Sequence, residues 1–209
     1  MNAKPKVPVA ILISGRGSNM GALIAASLDN GYPAKIVTVI SDKADAKGLE
    51  HAREFGIEAH AIPRADYDGK EAHEAAVSAA IAASGAQIVA LAGYMRLLSG
   101  DFVQRYAGRM INIHPSLLPA FPGLATHERA LAAGCRVHGC TVHFVTEAMD
   151  EGPIIEQEAV RVEQDDTPET LAQRVLEAEH RIYPGALAML ARGEVRMSGG
   201  GRAIHADGD

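Results

Sequence analysis

Cysteine is nearly absent from this chain: Cys135 and Cys140 are the only two in 209 residues. That excludes a disulfide-built scaffold and makes a reduced, cytoplasmic setting the expectation. An excess of basic charge is missing as well. Lysine and arginine number 20 against 26 aspartates and glutamates, and the signs are mixed along most of the chain. With no basic stripe to follow a phosphate backbone, nucleic acid is not expected as a partner. Anionic small molecules need only a few local donors and stay open. No apolar run approaches the roughly 18 residues of a transmembrane helix, so no membrane partner is expected. Lys4 and Lys6 before the apolar run 7–13 have the outline of a secretory signal, yet that run ends in a glycine turn and reads better as a buried strand. A Gly-x-Ser-x-Gly elbow is lacking too, and nothing but closeness to His114 marks Ser116 as a nucleophile. Acyl chemistry here would draw its attacking group from a substrate.

What the chain does have is enough apolar sequence, 47% of its residues, for one sizeable core. Short apolar runs at 9–13, 36–40, 88–92 and 110–113, with a weaker one at 59–62, alternate with helical patterns at 20–29, 47–55, 70–84 and 101–106. Strand-helix alternation predicts an α/β fold, an open, mainly parallel, twisted sheet with helices on both faces. Beyond Pro119 the pattern changes. A helix at 126–133, an alternating run at 140–145, a glycine-proline turn and a run at 154–162 predict antiparallel strands added in the C-terminal part. Thr167-Pro168-Glu169 offers an N-cap with proline at the first helical position. The helix it opens is expected to reach Tyr183, to kink or break at Pro184, and to resume to Arg192-Gly193. The stretch 198–201 and Gly208 read as a mobile tail. There is no repeat or linker, so 1–209 is expected to be one domain with its core in about 7–193.

The run Ile111-Asn112-Ile113-His114-Pro115-Ser116-Leu117-Leu118-Pro119 carries the most information. Alternation in a strand sends Asn112 and His114 to one face, and Pro115 closes the strand. An amide and an imidazole side by side can stabilise a developing oxyanion; the plainer alternative is a turn-capping amide beside a satisfied strand-end histidine. Ser14-Gly15-Arg16-Gly17-Ser18-Asn19 sits at the first strand-to-helix turn, where helix N–H groups and close backbone approach suit a phosphate. A dinucleotide site would have a third glycine at Met20, with Asp42 as its ribose-binding acid. Cys135, His138, Cys140 and His143 have the look of a metal set, but Cys140 and His143 are an odd number apart in one alternating run and should face opposite ways, so no metal is expected. Asp150 lies in a turn, where aspartate is most often solvated; paired with His114 it would raise the imidazole pKa and orient the ring.

Taken together, these residues resemble the folate-dependent phosphoribosylglycinamide formyltransferases of purine synthesis. The marks are the first glycine turn, Ser41-Asp42-Lys43-Ala44-Asp45-Ala46-Lys47-Gly48-Leu49, Leu91-Ala92-Gly93-Tyr94-Met95-Arg96-Leu97-Leu98, and the Asn112 to Pro119 run. His138-Gly139-Cys140-Thr141-Val142-His143-Phe144-Val145, Asp150-Glu151-Gly152-Pro153 and Glu179-His180 continue it. The middle run alone is shared with other formyltransferases, including those acting on methionyl-tRNA. The resemblance implies a Rossmann-like fold and transfer of the formyl group of 10-formyltetrahydrofolate, a co-substrate, to the amine of glycinamide ribonucleotide. It implies Asn112, His114 and Asp150 as the catalytic trio. It implies Gly17, Ser18, Asn19 and Glu179 as contacts to the ribonucleotide, and Met95, Arg96, Leu97, Leu98 and Asn112 around the folate. Lys70 stands where some relatives place an arginine near the folate's glutamate tail, and Ala125 at a position that is polar in some. A monomer or weak homodimer using small-molecule substrates is the expectation. Two other readings stay open: a nicotinamide-dependent oxidoreductase, from the glycine turn and Asp42, and a non-catalytic folate or nucleotide-binding regulator.

Overall fold

Strict alternation along the first strand decides the layering. Val9, Ile11 and Ile13 face one hydrophobic cluster while Ala10 and Leu12 face another, and all five are fully buried. A strand buried on both faces belongs inside a sheet covered by helices on both sides. The computed structural model describes residues 5–198 and 202–206. Its strands are β1 (Val7–Ile13), β2 (Ala34–Ser41), β3 (Glu58–Ala61), β4 (Ile88–Leu91), β5 (Met110–His114), β6 (Val137–Phe144), β7 (Ile154–Arg161), β8 (Val195–Met197) and β9 (Ala203–His205). The helices are α1 (Ser18–Ser27), α2 (Lys47–Glu54), α3 (Lys70–Ala83), α4 (Gly100–Arg105), α5 (Thr126–Ala132) and α6 (Pro168–Arg192).

Seven strands form one sheet in the order β3-β2-β1-β4-β5-β6-β7. The first five run parallel; β6 is antiparallel to β5, and β7 to β6. The expected mainly parallel sheet with antiparallel strands added late is the observed one. Helices α1, α2 and α6 cover one face, where Leu23, Leu49, Leu171 and Val175 meet the odd residues of β1. On the other face Val77, Ile81, Phe102 and Val103, from α3 and α4, meet its even ones.

One expectation needs correction. Pro184 does not break α6, which runs unbroken from Pro168 to Arg192. Its N-terminus is the expected cap, Thr167 accepting from the Thr170 N–H at 3.3 Å, and Gly193 closes it with φ of +75°. A mid-helix proline costs about 3 kcal/mol; burial of Leu171, Val175, Ala178, Tyr183, Ala186 and Leu187 along one face of α6 outweighs it. Residues Ala203–His205 pair antiparallel with Val195–Met197; of the stretches expected to form a mobile tail, 199–201 and Gly208 lie outside the described residues. Among the described residues no helix is long and apolar enough to cross a membrane.

Candidate active site

Alternation in β5 sends Ile111 and Ile113 into the α6-side core and leaves Asn112 and His114 on the opposite face, at the strand's carboxyl end. In the register of β5 with β6, Asn112 lies opposite His143 and His114 opposite Thr141. Thr141 donates its hydroxyl to the Ser116 carbonyl (2.7 Å) and accepts the Leu118 N–H (3.0 Å), which pins the chain leaving His114. The Ser116 hydroxyl donates to the Ala120 carbonyl at 2.6 Å and is fully buried, so it serves the loop and is not a nucleophile.

Asp150 arrives from the loop after β6. Gly152 makes that approach feasible: a Cβ there would sit 1.7 Å from the Phe144 carbonyl oxygen. The Asp150 carboxylate accepts the Gly123 N–H at 2.8 Å and lies 3.4 Å from His114 Nδ1 through the same Oδ2. On the other side of the ring, His114 Nε2 is 3.1 Å from the Phe121 carbonyl. Both ring nitrogens therefore face oxygens, an arrangement in which a doubly protonated ring donates twice.

His143 completes the cluster, and it was weighed in the sequence only as a metal ligand. Burial holds its imidazole below the ordinary range, while the Phe144 carbonyl and Asp150 pull the other way. In the neutral ring Nδ1–H donates to the Phe144 carbonyl (2.9 Å), so Nε2 accepts from the Asn112 amide at 3.3 Å. That assigns Asn112 Nδ2 to the His143 side and leaves its second N–H free to donate elsewhere. The 3.9 Å from His143 to Asp150 is too long for a hydrogen bond. In the sequence both His143 and Gly152 stood inside marks of the resemblance, His143 in the 138–145 run and Gly152 in Asp150-Glu151-Gly152-Pro153, with no catalytic role attached to either.

These groups line a cavity of about 850 Å3, together with Met95, Arg96, Leu97, Leu98, Ala125 and His127. The catalytic candidates and the folate segment are thus brought together. Lys70 is not: it opens α3, half-exposed, with Nζ 4.0 Å from Glu74, and does not line this cavity. Gly17, Ser18 and Asn19 lie outside its lining, and Asn19 joins them to Glu179 in a second group. Gly17 takes φ of +73° before α1, and a Cβ on it would lie 3.0 Å from Met20 Cε and 3.3 Å from Gly48 Cα. Gly48, missed in the sequence as a site residue, is needed because α2 starts against this turn: a Cβ there would meet Ile13 Cδ1 at 2.5 Å. Asn19 Nδ2 donates to Glu179 Oε2 at 2.7 Å across 160 positions. Burial pushes the Glu179 carboxyl up to about 7, with Asn19 opposing, and Asn19 Oδ1 is buried without a partner.

Cys140 packs in the α6-side core while His143 faces the cavity, the opposed directions that alternation requires. Among the described residues no group of three or more His, Cys, Asp or Glu could hold a metal ion. Asp42, the acid of the dinucleotide reading, is committed elsewhere, 2.6 Å from Arg96 Nε and 1% exposed.

A strand-end amide and imidazole beside a carboxylate, at a cavity lined largely by apolar side chains, can stabilise a developing oxyanion. The family model described as formyl transferase matches residues 7–187. The chain belongs to the formyl transferase family. It is 44% identical over 189 residues to the phosphoribosylglycinamide formyltransferase of Escherichia coli (strain K12), covering 90% of this chain and 89% of that one. A trifunctional purine biosynthetic protein, adenosine-3, of Bos taurus is 49% identical over 197 residues, 94% of this chain. The chain spans only about a fifth of that relative's length. The crystal structure of phosphoribosylglycinamide formyltransferase from Brucella melitensis superposes with a TM-score of 0.86 at 58% identity, covering 89% of this chain and 96% of that one.

Proposed function

We propose that this cytoplasmic chain transfers the formyl group of 10-formyltetrahydrofolate to the amine of glycinamide ribonucleotide in purine biosynthesis. The observation that carries the reading is the convergence of Asn112, His114 and Asp150 at the foot of a cavity walled by Met95, Leu97 and Leu98. The amine attacks the formyl carbon, and its lone pair makes the new C–N bond. The carbonyl oxygen takes negative charge beside the free Asn112 N–H and the His114 Nε2–H, which turns to it from the Phe121 carbonyl, donors that count most where the charge develops. Collapse of the tetrahedral intermediate breaks the bond to the folate N10. The proton lost by the amine reaches N10 by way of His114, which Asp150 holds in place. The products are formylglycinamide ribonucleotide and tetrahydrofolate.

Gly17, Ser18 and Asn19 receive the substrate phosphate at the α1 N-terminus, where N–H groups lack partners in the helix. Glu179, near neutrality, meets the ribonucleotide beyond Asn19. Folded beside them, the pterin lies against the apolar wall and backbone groups of 93–98 read its polar edge. Lys70 reaches toward the glutamate tail as a flexible point charge. The expected assembly is a monomer or weak homodimer. No metal and no permanently bound cofactor is called for.

The test mixes the chain with glycinamide ribonucleotide and 10-formyltetrahydrofolate and follows absorbance and product mass. Formyl transfer that needs both substrates is the expected result. Folate turnover that ignores the ribonucleotide, or nicotinamide-dependent redox chemistry, would overturn it.

A further inference from the structure

Segment 93–98 forms one wall of the cavity but has no regular structure of its own. Tyr94 and Leu98 anchor its two ends against the core, but between them Met95 and Leu97 are 67% and 69% exposed. A middle stretch whose side chains are open to solvent has to be tethered from outside. Two neighbours in the sheet supply the tethers. At the end of β1 the Ser14 N–H donates to the Gly93 carbonyl at 3.0 Å, and the Ser14 hydroxyl accepts the Met95 N–H at 2.8 Å. Just past the end of β2, Asp42 Oδ2 accepts Arg96 Nε at 2.6 Å.

The Asp42 contact is an odd choice if stability were its purpose. Its carboxylate is 1% exposed, its Oδ1 is buried with no partner, and the arginine it holds is 45% exposed. Burying a carboxylate for one hydrogen bond recovers little net stability, because desolvation offsets the attraction. What such a pair does supply is direction. A short charge-assisted bond to a side chain in the middle of an irregular segment fixes where that segment's backbone lies.

We propose that Asp42, acting through Arg96, and Ser14, acting through the Met95 N–H, are positioning residues that hold segment 93–98 in the shape that reads the folate ring. This rests on the folate reading of the cavity given above. Neither side chain touches the reacting atoms; both set the affinity for one of the two substrates.

The test uses the full chain with Asp42→Ala and Ser14→Ala. Binding of tetrahydrofolate alone is measured by calorimetry, and kcat and both KM values in the transfer reaction. Loss of one charge-assisted tether should raise the tetrahydrofolate Kd and the folate KM about 10-fold, with kcat and the ribonucleotide KM held within about 2-fold. Asp42→Asn, which keeps an acceptor and drops the charge, should recover part of the folate affinity. Should Asp42→Ala not fold, Asp42→Asn carries the same test with a smaller rise. Unaltered folate binding in the variants while wild type binds tetrahydrofolate overturns this inference alone. So does a uniform fall of all parameters with Tm, which would make the tethers merely structural. A wild-type chain that does not bind tetrahydrofolate overturns the functional reading and this inference with it.

Discussion

Among the described residues, Phe121, Ala125 and Asp150 are the non-glycine residues with left-handed backbone, at φ of 55–57°, and two of them, Phe121 and Asp150, meet His114. Such a conformation costs about 1–3 kcal/mol at each residue and persists where surrounding contacts demand it. At Phe121 and Asp150 the demand is plain: a carbonyl and a carboxylate are delivered to the two nitrogens of one imidazole. Replacing Asp150 by Asn keeps the size and the Gly123 contact but removes the charge opposite Nδ1. kcat should fall about 10²–10⁴-fold, the usual weight of a positioned acid–base group, with Tm little changed. Near-normal kcat in Asp150→Asn would make Asp150 a turn residue and the mechanism wrong. Glu179 gives a pH-dependent prediction. Burial lifts its carboxyl from 4.5 to about 7. Between those values the folded protein holds a proton that the unfolded chain has released, so stability falls as pH rises through the window and levels off above it. The fall is about 3 kcal/mol at most. Glu179→Gln is neutral throughout, so wild-type Tm should drop relative to the variant's between about pH 5 and about pH 7.5. Parallel Tm curves would mean that Glu179 is ionised in the fold at every pH in that range. Of this residue chemistry, the shared face of Asn112 and His114 was legible from alternation alone. The meeting of His114 with Asp150 came from the resemblance and not from alternation, since it depends on the path of 35 intervening residues, α5 and β6 among them, that no local pattern encodes.

Among the elements, that loop path is set where it leaves β6. The Phe144 carbonyl accepts the His143 Nδ1–H, and its N–H donates to the Pro153 carbonyl at 2.9 Å, so the loop returns directly onto the strand end. Gly152 is the residue that lets it pass. Gly152→Ala would force a Cβ into the Phe144 carbonyl, and the loop would have to lift off, carrying Asp150 away from His114. A displacement of about 1 Å at a catalytic group can cost about 10²-fold, so kcat should fall by that order, with a lowered Tm as well. A variant with a lowered Tm but full kcat would show that Asp150 keeps its place when the loop moves. Elements with strong periodicity were readable: β1, β2, α3 and the capped start of α6 lie where the apolar pattern puts them, within a residue or two. Pro184 misled because local propensity is a weak force against a helix face that packs along its whole length on the sheet. The β8–β9 pair was hidden because its strands are three residues each, shorter than any periodicity can mark.

For the whole molecule, strand-helix alternation made the α/β class legible, but strand order follows from how crossovers pack and cannot be read from periodicity. The order matters here because the sheet reverses at β1, which has β2 on one side and β4 on the other. In open α/β sheets ligands bind at such a reversal, outside the carboxyl ends of the strands. The glycine turn after β1 and the cavity after β4 and β5 flank it, with Ser14 between them. Two ligands can therefore lie side by side while depending on different parts of the chain, and one substitution should separate them. Gly17 needs φ of +73° and has Met20 Cε and Gly48 Cα at its limit of approach. In Gly17→Val a branched side chain would resist that backbone conformation and fill the space above the α1 N–H groups. Thermal shifts read each ligand apart, because a ligand at about 100 times its Kd stabilises the fold by about 2.7 kcal/mol. In Gly17→Val the shift from glycinamide ribonucleotide should largely vanish, while that from tetrahydrofolate should stay close to wild type. Equal loss of both shifts would mean that the turn supports the whole reversal point, and that the two ligands share one site in place of two neighbouring ones.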